Sequence, residues 1–485
     1  MKVFSDKRLL KKCSIASVIF LTLILLFYWA SGDRLYYEEW HSDVPDPQEQ
    51  IAVLHDGSVI SYPIYDTCDS MYSLSLYIGS AVDTSKGNLV VNVSTEGGSH
   101  IGIFTVPASE LTAFEYNTIS LKEPYEMNKE DSLRITITTD GITEDQAICL
   151  WANNSFSTGK YTLSDMNSNE YTVDGSIHTG KVCSYIFGRN NYLIGKIFWP
   201  CAIALFVVFT FYVFNLATRY IEGKNSWDIR AYINYNRYKF LMKQLVSRDF
   251  KKKYKRSVLG FGWTILNPLL TMLVQYLVFS TIFKSSIDNF VTYLLTGIVL
   301  MNFFYESIGL GLSSILDNAH LINKVYMPKE IYPLSRVISS VINLVLAMIP
   351  LLAVAICAGS PISKAMLLIP IDLILLLIFC YGMVLILSTS MAMFSDTLFL
   401  WNVLSTLWMY LTPIFYPISI IPARFLTIYK LNPMYQYITF MRSILIYGDA
   451  PSPANYLGCI VSAVVLLIIG RIIFKKNEDK FILYL

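Results

Sequence analysis

The sequence predicts an α-helical polytopic membrane protein of about eight spans with an inserted extracytoplasmic β-sandwich domain. Three observations predict it. The 485 residues are 54% hydrophobic and only 15% charged, with a mean hydropathy of +0.46, whereas soluble chains carry about a quarter charged residues. Apolar runs recur that reach the roughly 20 residues needed to cross a hydrocarbon core of about 30 Å as a helix. Between the first two runs lies a long polar block whose apolar residues alternate with period two.

The chain divides in order into five segments. Residues 1–31 form a cytoplasmic tail and a first span near Ser14–Ser31. That run is long for a signal-peptide core and no convincing small-residue cleavage site follows, so it reads as a retained anchor. Residues 32–192 form the outside domain. Its stretches NLVVNVST, HIGIFTV, SLRITITT and AICLWAN alternate apolar and polar residues, and HDG, EGG, TTDG and NSNE punctuate them, the signature of short antiparallel strands in a sandwich. Residues 193–217 hold a second span near Ile197–Leu216. Residues 218–257 form a cytoplasmic linker and an amphipathic interfacial helix, with Phe240, Leu241, Leu245 and Phe250 near one face and Lys239, Lys243 and Lys253 on others. Residues 258–485 form a six-span core, with spans near Gly262–Phe283, Phe290–Ser314, Leu334–Cys357, Ala365–Met393, Leu398–Pro417 and Tyr456–Phe474.

Basic residues orient the chain, because cytoplasmic flanks are enriched in Lys and Arg. Lys7, Arg8, Lys11 and Lys12 precede the first span, and RDFKKKYKR (Arg248–Arg256) precedes the third. Lys324 and Lys329 follow the fourth, and Lys475, Lys476 and Lys480 follow the eighth. Eight spans place every cluster, and both termini, on the cytoplasmic side of the cell (inner or cytoplasmic) membrane. The formal charge of +2 hides an asymmetry: residues 33–190 hold 23 acidic and 8 basic residues, a net −15, and the remainder is +17. The basic residues hug the membrane spans, which argues against a nucleic-acid partner and favours membrane lipids.

The eight cysteines form no C-x-x-C pair, so neither zinc nor redox chemistry is indicated. Cys68, Cys149 and Cys183 outside the membrane allow one disulfide, whose pairing the sequence leaves open. The five histidines His41, His55, His100, His178 and His320 show no ligand spacing, and no metal site is expected. No G-x-x-x-x-G-K-[ST] phosphate cradle occurs, so this chain is expected to bind no cofactor and to leave ATP and magnesium to a partner chain.

From Tyr238 onward the residues become specific. Tyr254, Arg256–Ser257, Leu259–Gly260, Trp263 and Asn267–Pro268 form one motif; NAHLINKVYMPKEIYPLS, FSDT, and LTPIFYPISIIP with LNPMYQY follow in order. Residues 235–485 thereby resemble the ABC-2 type permease subunits of bacterial polysaccharide exporters, the O-antigen and teichoic-acid group. Most such permeases lack the first two spans and the outside domain. The resemblance implies a transporter rather than an enzyme, built from two copies of this chain and two copies of a separate ABC ATPase. The path would run at the permease dimer interface. The cargo would be a polysaccharide or teichoic-acid-like polymer on an undecaprenyl-diphosphate carrier.

The resemblance implies a role for one loop, and the chemistry of the remaining residues suggests theirs. Asn323, Lys324, Tyr326, Pro328, Lys329 and Glu330 lie in a loop that forms the ATPase-coupling helix in that family. Pro328 suits the first turn of a short helix, with Lys329 and Glu330 just inside it. Pro328 and Pro333 disfavour helix at Met327 and Tyr332. Lys251, Lys252, Lys253, Lys255 and Arg256 match the concentrated charge of a diphosphate; bound to anionic lipid heads instead, each is worth about 1 kcal/mol. Glu306, inside a span, either accepts hydrogen bonds from sugar hydroxyls or pairs with a base such as Arg336. Trp263, Phe279, Phe283, Tyr293, Phe303, Phe304, Trp401, Trp408 and Tyr410 are candidate path-lining rings, although such rings also gather at membrane interfaces and in cores. Pro413, Tyr416, Pro417, Pro422 and Pro433 mark an outer gate of short re-entrant helices, or else an external loop. In the outside domain Tyr77, Trp151 and Tyr161 are candidates for stacking on sugars, against the commoner role of core aromatics. Competing readings are an exporter of a small lipophilic compound, a glycan-modifying membrane enzyme with few acid/base groups beyond Glu306 and Asp372, and a membrane glycan sensor.

Overall fold

The computed structural model describes residues 7–481, apart from 43–46, 48, 55, 66–67, 82–86, 96–99, 128–131, 143–147, 154–169, 175, 180, 224–226, 255–256, 284–288 and 323–326. The chain forms two compact units. One joins Met1–Leu35 to Ile197–Leu485, and the other is Tyr36–Lys196. It is thus a polytopic helical membrane protein with an inserted β domain.

The helical unit contains α1 (Lys7–Ser31), α2 (Leu193–Ile221), α3 (Trp227–Tyr254), α4 (Trp263–Phe283), α5 (Phe290–Leu312), α6 (Ala319–Ile322), α7 (Ile331–Cys357), α8 (Ile369–Met393), α9 (Thr397–Tyr410), α10 (Ala423–Leu431), α11 (Pro433–Arg442) and α12 (Pro453–Asn477). Among the described residues seven helices are long and apolar enough to cross a membrane. The expected span Leu398–Pro417 is not one of them. Its helix α9 has 14 residues, about 21 Å at 1.5 Å per residue, and the chain beyond Tyr410 turns through Pro413 and Pro417 instead of continuing. Pro333 brings a second correction. Tyr332 is helical, and Pro333 sits in the first turn of α7, where its missing N–H has no helical partner to lose.

Lipid supplies no hydrophobic drive between helices, so close packing must hold them. At Gly382 on α8 an added Cβ would stand 2.5 Å from the backbone carbon of Leu466 on α12. Gly470 abuts the carbonyl of Gly382 in the same way, so these two helices meet backbone to backbone. Phe304, Phe379, Tyr437 and Phe440 are fully buried beside that contact region. Tyr437 donates its hydroxyl to the Cys459 carbonyl at 2.9 Å. Towards its other surface the unit is greasy: Val208 and Phe211 of α2 are 67% and 69% exposed, as lipid contact requires. The helices α1 and α2 pair through Phe20 and Phe209, whose rings stack at 4.1 Å.

The inserted unit is two antiparallel sheets. Its strands are β1 (Tyr37–His41), β2 (Glu49–Leu54), β3 (Val59–Ile64), β4 (Ser70–Ala81), β5 (Asn88–Thr95), β6 (His100–Pro107), β7 (Glu115–Glu126), β8 (Leu133–Asp140), β9 (Ile148–Asn153), β10 (Glu170–Val173), β11 (Ser176–Thr179), β12 (Lys181–Val182) and β13 (Ser184–Asn191). One sheet runs β1-β13-β4-β9-β12, with β2 against β9 and β7 against β4; the other runs β11-β10-β3-β8-β5-β6. The period-two pattern of the sequence becomes strict alternation of buried side chains along β5. Leu76, Val91, Ile137, Leu150 and Ile186 from both sheets share one core. Cys68, Cys149 and Cys183 are all buried. Burial pushes the Cys68 thiol up from its ordinary value, against its hydrogen bond to the Ser70 carbonyl at 3.3 Å.

Candidate functional site

The last turn of α3 carries Lys251, Lys252 and Lys253, all exposed. The helix is held by its apolar face: Leu245 is buried, and Tyr238 and Leu241 pack with it against Ile315, Ile322 and Tyr332. Phe240, expected on that face, is 70% exposed, because one residue along a helix turns the side chain by about 100°.

This anchoring brings Lys253 to the membrane helices. Its ammonium lies 2.6 Å from Glu306 Oε1 on α5, and the same oxygen accepts a hydrogen bond from Asn343 Nδ2 on α7 at 2.5 Å. Glu306 therefore does not pair with Arg336, the partner that sequence reasoning offered. Arg336 is taken by two other acids. It reaches Asp249 Oδ1 at 3.1 Å and Asp317 Oδ2 at 2.9 Å with only 8% of its side chain exposed. Arg248 completes the group, 3.2 Å from Asp249 and 3.1 Å from Asn318 Oδ1. Sequence reasoning missed Asp249, Asp317 and Asn343. The available signal was Asp249, the lone acid in RDFKKKYKR.

Two adjoining cavities share the Lys253–Glu306–Asn343 wall. One, of about 520 Å³, is also lined by Trp263, Asn267, Asn302 and Phe303. The other, of about 550 Å³, is lined by Asp249, Lys252, Asp317 and Arg336. The first offers amide donors and acceptors beside an indole face. The second offers paired charges. Such a lining matches a ligand with many hydroxyls, and Lys252 adds a cation for an anionic group.

The other candidates separate. Phe304 is fully buried, with Phe379, Trp401 and Trp408 packed around it at ring separations of 5.9, 5.9 and 5.3 Å. These rings are core in this chain and do not line the cavity. Trp408 Nε1 donates to Asn432 Oδ1 at 2.9 Å. Tyr410 is 61% exposed. Phe279 stacks on Phe415 at 5.4 Å. The side chain of Phe283, and all of Asn323, Lys324, Tyr326, Lys255, Arg256 and Tyr161, lie outside the described residues.

The segment after α9 is built from short helices. Pro422 precedes α10 and Pro433 opens α11, while Tyr416 and Pro422 line a cavity of about 490 Å³ with Leu411, Phe425 and Tyr429. Buried Arg442 ties this segment down. It donates to the carbonyls of Pro413 at 2.9 Å, Ile414 at 3.1 Å and Tyr293 at 3.1 Å, and lies over the Tyr293 ring at 3.3 Å. Tyr293 itself donates to the Pro413 and Tyr416 carbonyls.

Pro328, Lys329 and Glu330 do not begin a separate helix. They form a turn leading directly into α7, and the short helix of this loop, α6, precedes them. Lys329 Nζ donates to the Glu478 carbonyl, and Glu330 pairs with Arg471 at 3.7 Å, so this patch is bound to the C-terminal end of α12.

Comparison with known proteins adds to this geometry. Residues 241–446 match the family described as ABC-2 type transporter. The chain is 32% identical over 247 residues to the O-antigen export system permease protein RfbA of Myxococcus xanthus, a match covering 50% of this chain and 95% of that relative. A Klebsiella pneumoniae protein of the same name is 30% identical over 243 residues, covering 50% of this chain and 93% of the relative.

Proposed function

Because the chain belongs to the ABC-2 type transporter family, we propose that it is the membrane subunit of a polysaccharide exporter, driven by a separate ABC ATPase. The similarity to two export permeases across nearly their whole length carries this reading. The cleft fits it chemically. Asn267, Asn302, Asn343 and Glu306 can exchange hydrogen bonds with sugar hydroxyls, while Trp263 offers an apolar face. In this reading the polymer enters on a diphosphate-bearing lipid, of O-antigen or teichoic-acid type. Lys251 and Lys252, with Lys255 and Arg256 beside them in sequence, hold its phosphates. Two copies of the chain form the path in the cell membrane, with both termini in the cytoplasm, and two ATPases dock on the turn around Lys329 and Glu330.

Deleting the chain tests the export reading. Lipid-linked glycan is expected to accumulate inside the cell while surface polysaccharide falls. Normal surface polysaccharide with no accumulated precursor would overturn it. Accumulation of a small lipophilic compound in place of glycan would favour the alternative cargo.

A further inference from the structure

The outer face of the β1-β13-β4-β9 sheet carries a row of aromatic rings. Trp151 lies 6.1 Å from Tyr77, Tyr77 lies 5.2 Å from Tyr116, and Tyr116 lies 5.1 Å from Tyr185. Exposed His41 ends the row, 6.4 Å from Tyr185. Register places them on one face, since Tyr77 stands opposite Tyr116 and Tyr185 opposite Ser75. The four larger rings are each half-buried, while Leu74, Leu76 and Ile78 of the same strand point into the core.

Small residues underlie the rings. Ser75 is 1% exposed and bonds Thr118 across the strands at 2.8 Å, so the rings of Tyr116 and Tyr185 meet above it. Gly79 has no side chain, and any Cβ there would collide with the Trp151 indole. The indole therefore lies down on β4. The result is a continuous strip of rings, each meeting the next edge to face at 66–72°, bordered by exposed Thr118 and Ser120.

We propose that this strip binds a run of a neutral glycan, whose C–H faces stack on the rings and whose hydroxyls reach Thr118, Ser120 and the phenols. The proposal rests on the export reading for the nature of the polymer, and adds an extracytoplasmic binding site for it. Charge selects the occupant. Residues 33–190 carry a net −15, which repels an anionic lipid surface, an anionic polymer and a second copy of the same domain alike. Amphipathic rings bordered by hydroxyls suit an uncharged, hydroxylated chain.

The test uses the full chain in nanodiscs. The probe is the producing strain's own surface polysaccharide, freed from lipid by mild acid and separated into neutral and anionic fractions, with binding read by biolayer interferometry. The neutral fraction is expected to bind. Tyr77→Ala and Tyr116→Ala each weaken it about tenfold, the loss of one stacked ring, whereas Tyr116→Phe retains it. Ser120→Arg, which removes no ring and crowds the strip, also weakens it. Circular dichroism verifies that each variant keeps its strands. No binding, binding of the anionic fraction alone, or full binding by Ser120→Arg and the alanine variants would overturn the proposal. Surface polysaccharide scored in the same strains separates this failure from failure of the export reading, because a normal surface coat leaves export standing.

Discussion

Lys253 and Glu306 are 53 residues apart in sequence, yet the ammonium of one lies 2.6 Å from the carboxylate of the other. This contact ties the last turn of the interfacial helix α3 to α5, at the wall that two cavities share.

The pair is part-exposed, 43% at Lys253 and 24% at Glu306, so its contribution to stability stays below about 1 kcal/mol. Lys253→Met and Glu306→Gln are expected to leave the unfolding temperature nearly unchanged while lowering export. The swap Lys253→Glu with Glu306→Lys restores part of it. Surface polysaccharide measured by immunoblot in each strain checks this, and export unchanged from the parent in both single variants would show the contact to be incidental.

Arg336 behaves in the opposite way because it is buried. Arg336→Met strands Asp249, whose side chain is 5% exposed, with only Arg248 beside it. Because Arg248 still pairs with Asp249, the loss falls below the roughly 3–5 kcal/mol of a buried charge left wholly unpaired. Adding Asp249→Leu recovers part of the loss. Thermal unfolding in detergent followed by size-exclusion chromatography reads both effects.

Arg442 joins α11, the start of α5 and the turn at Pro413 through three carbonyls. Lysine is a point charge and cannot span them as the planar guanidinium does. Arg442→Lys is expected to cost about 2–3 kcal/mol and to loosen residues 411–422. Labelling of a cysteine placed at Tyr416 should become faster in that background, and an unchanged rate would show the tie to be dispensable.

The sequence was most legible where one periodicity governs a whole element. Alternation in NLVVNVST gave β5, and the family motifs from Tyr254 to Pro268 pointed to the transporter core. Residues whose role depends on a distant partner were not legible. Glu306 stood out as a charge in a span, but the partner it suggested was Arg336 and not Lys253. No local pattern showed that Phe304 and Trp401 are buried neighbours, with ring centres 5.9 Å apart. Gly79 had no sequence signal at all, since its role is the space it leaves for an indole 72 residues away in the chain.

The sequence by itself determined that the chain lives in a membrane and carries an acidic β domain, because hydropathy and strand alternation act over neighbouring residues, and its ordered motifs carried the resemblance to a permease core. Only the tertiary structure decided that α9 stops at Tyr410, that Glu306 answers to Lys253 and Asn343, and that five rings line up on one sheet face. Each of those depends on which distant segments pack together, and packing is set by shape and charge in three dimensions rather than by local pattern.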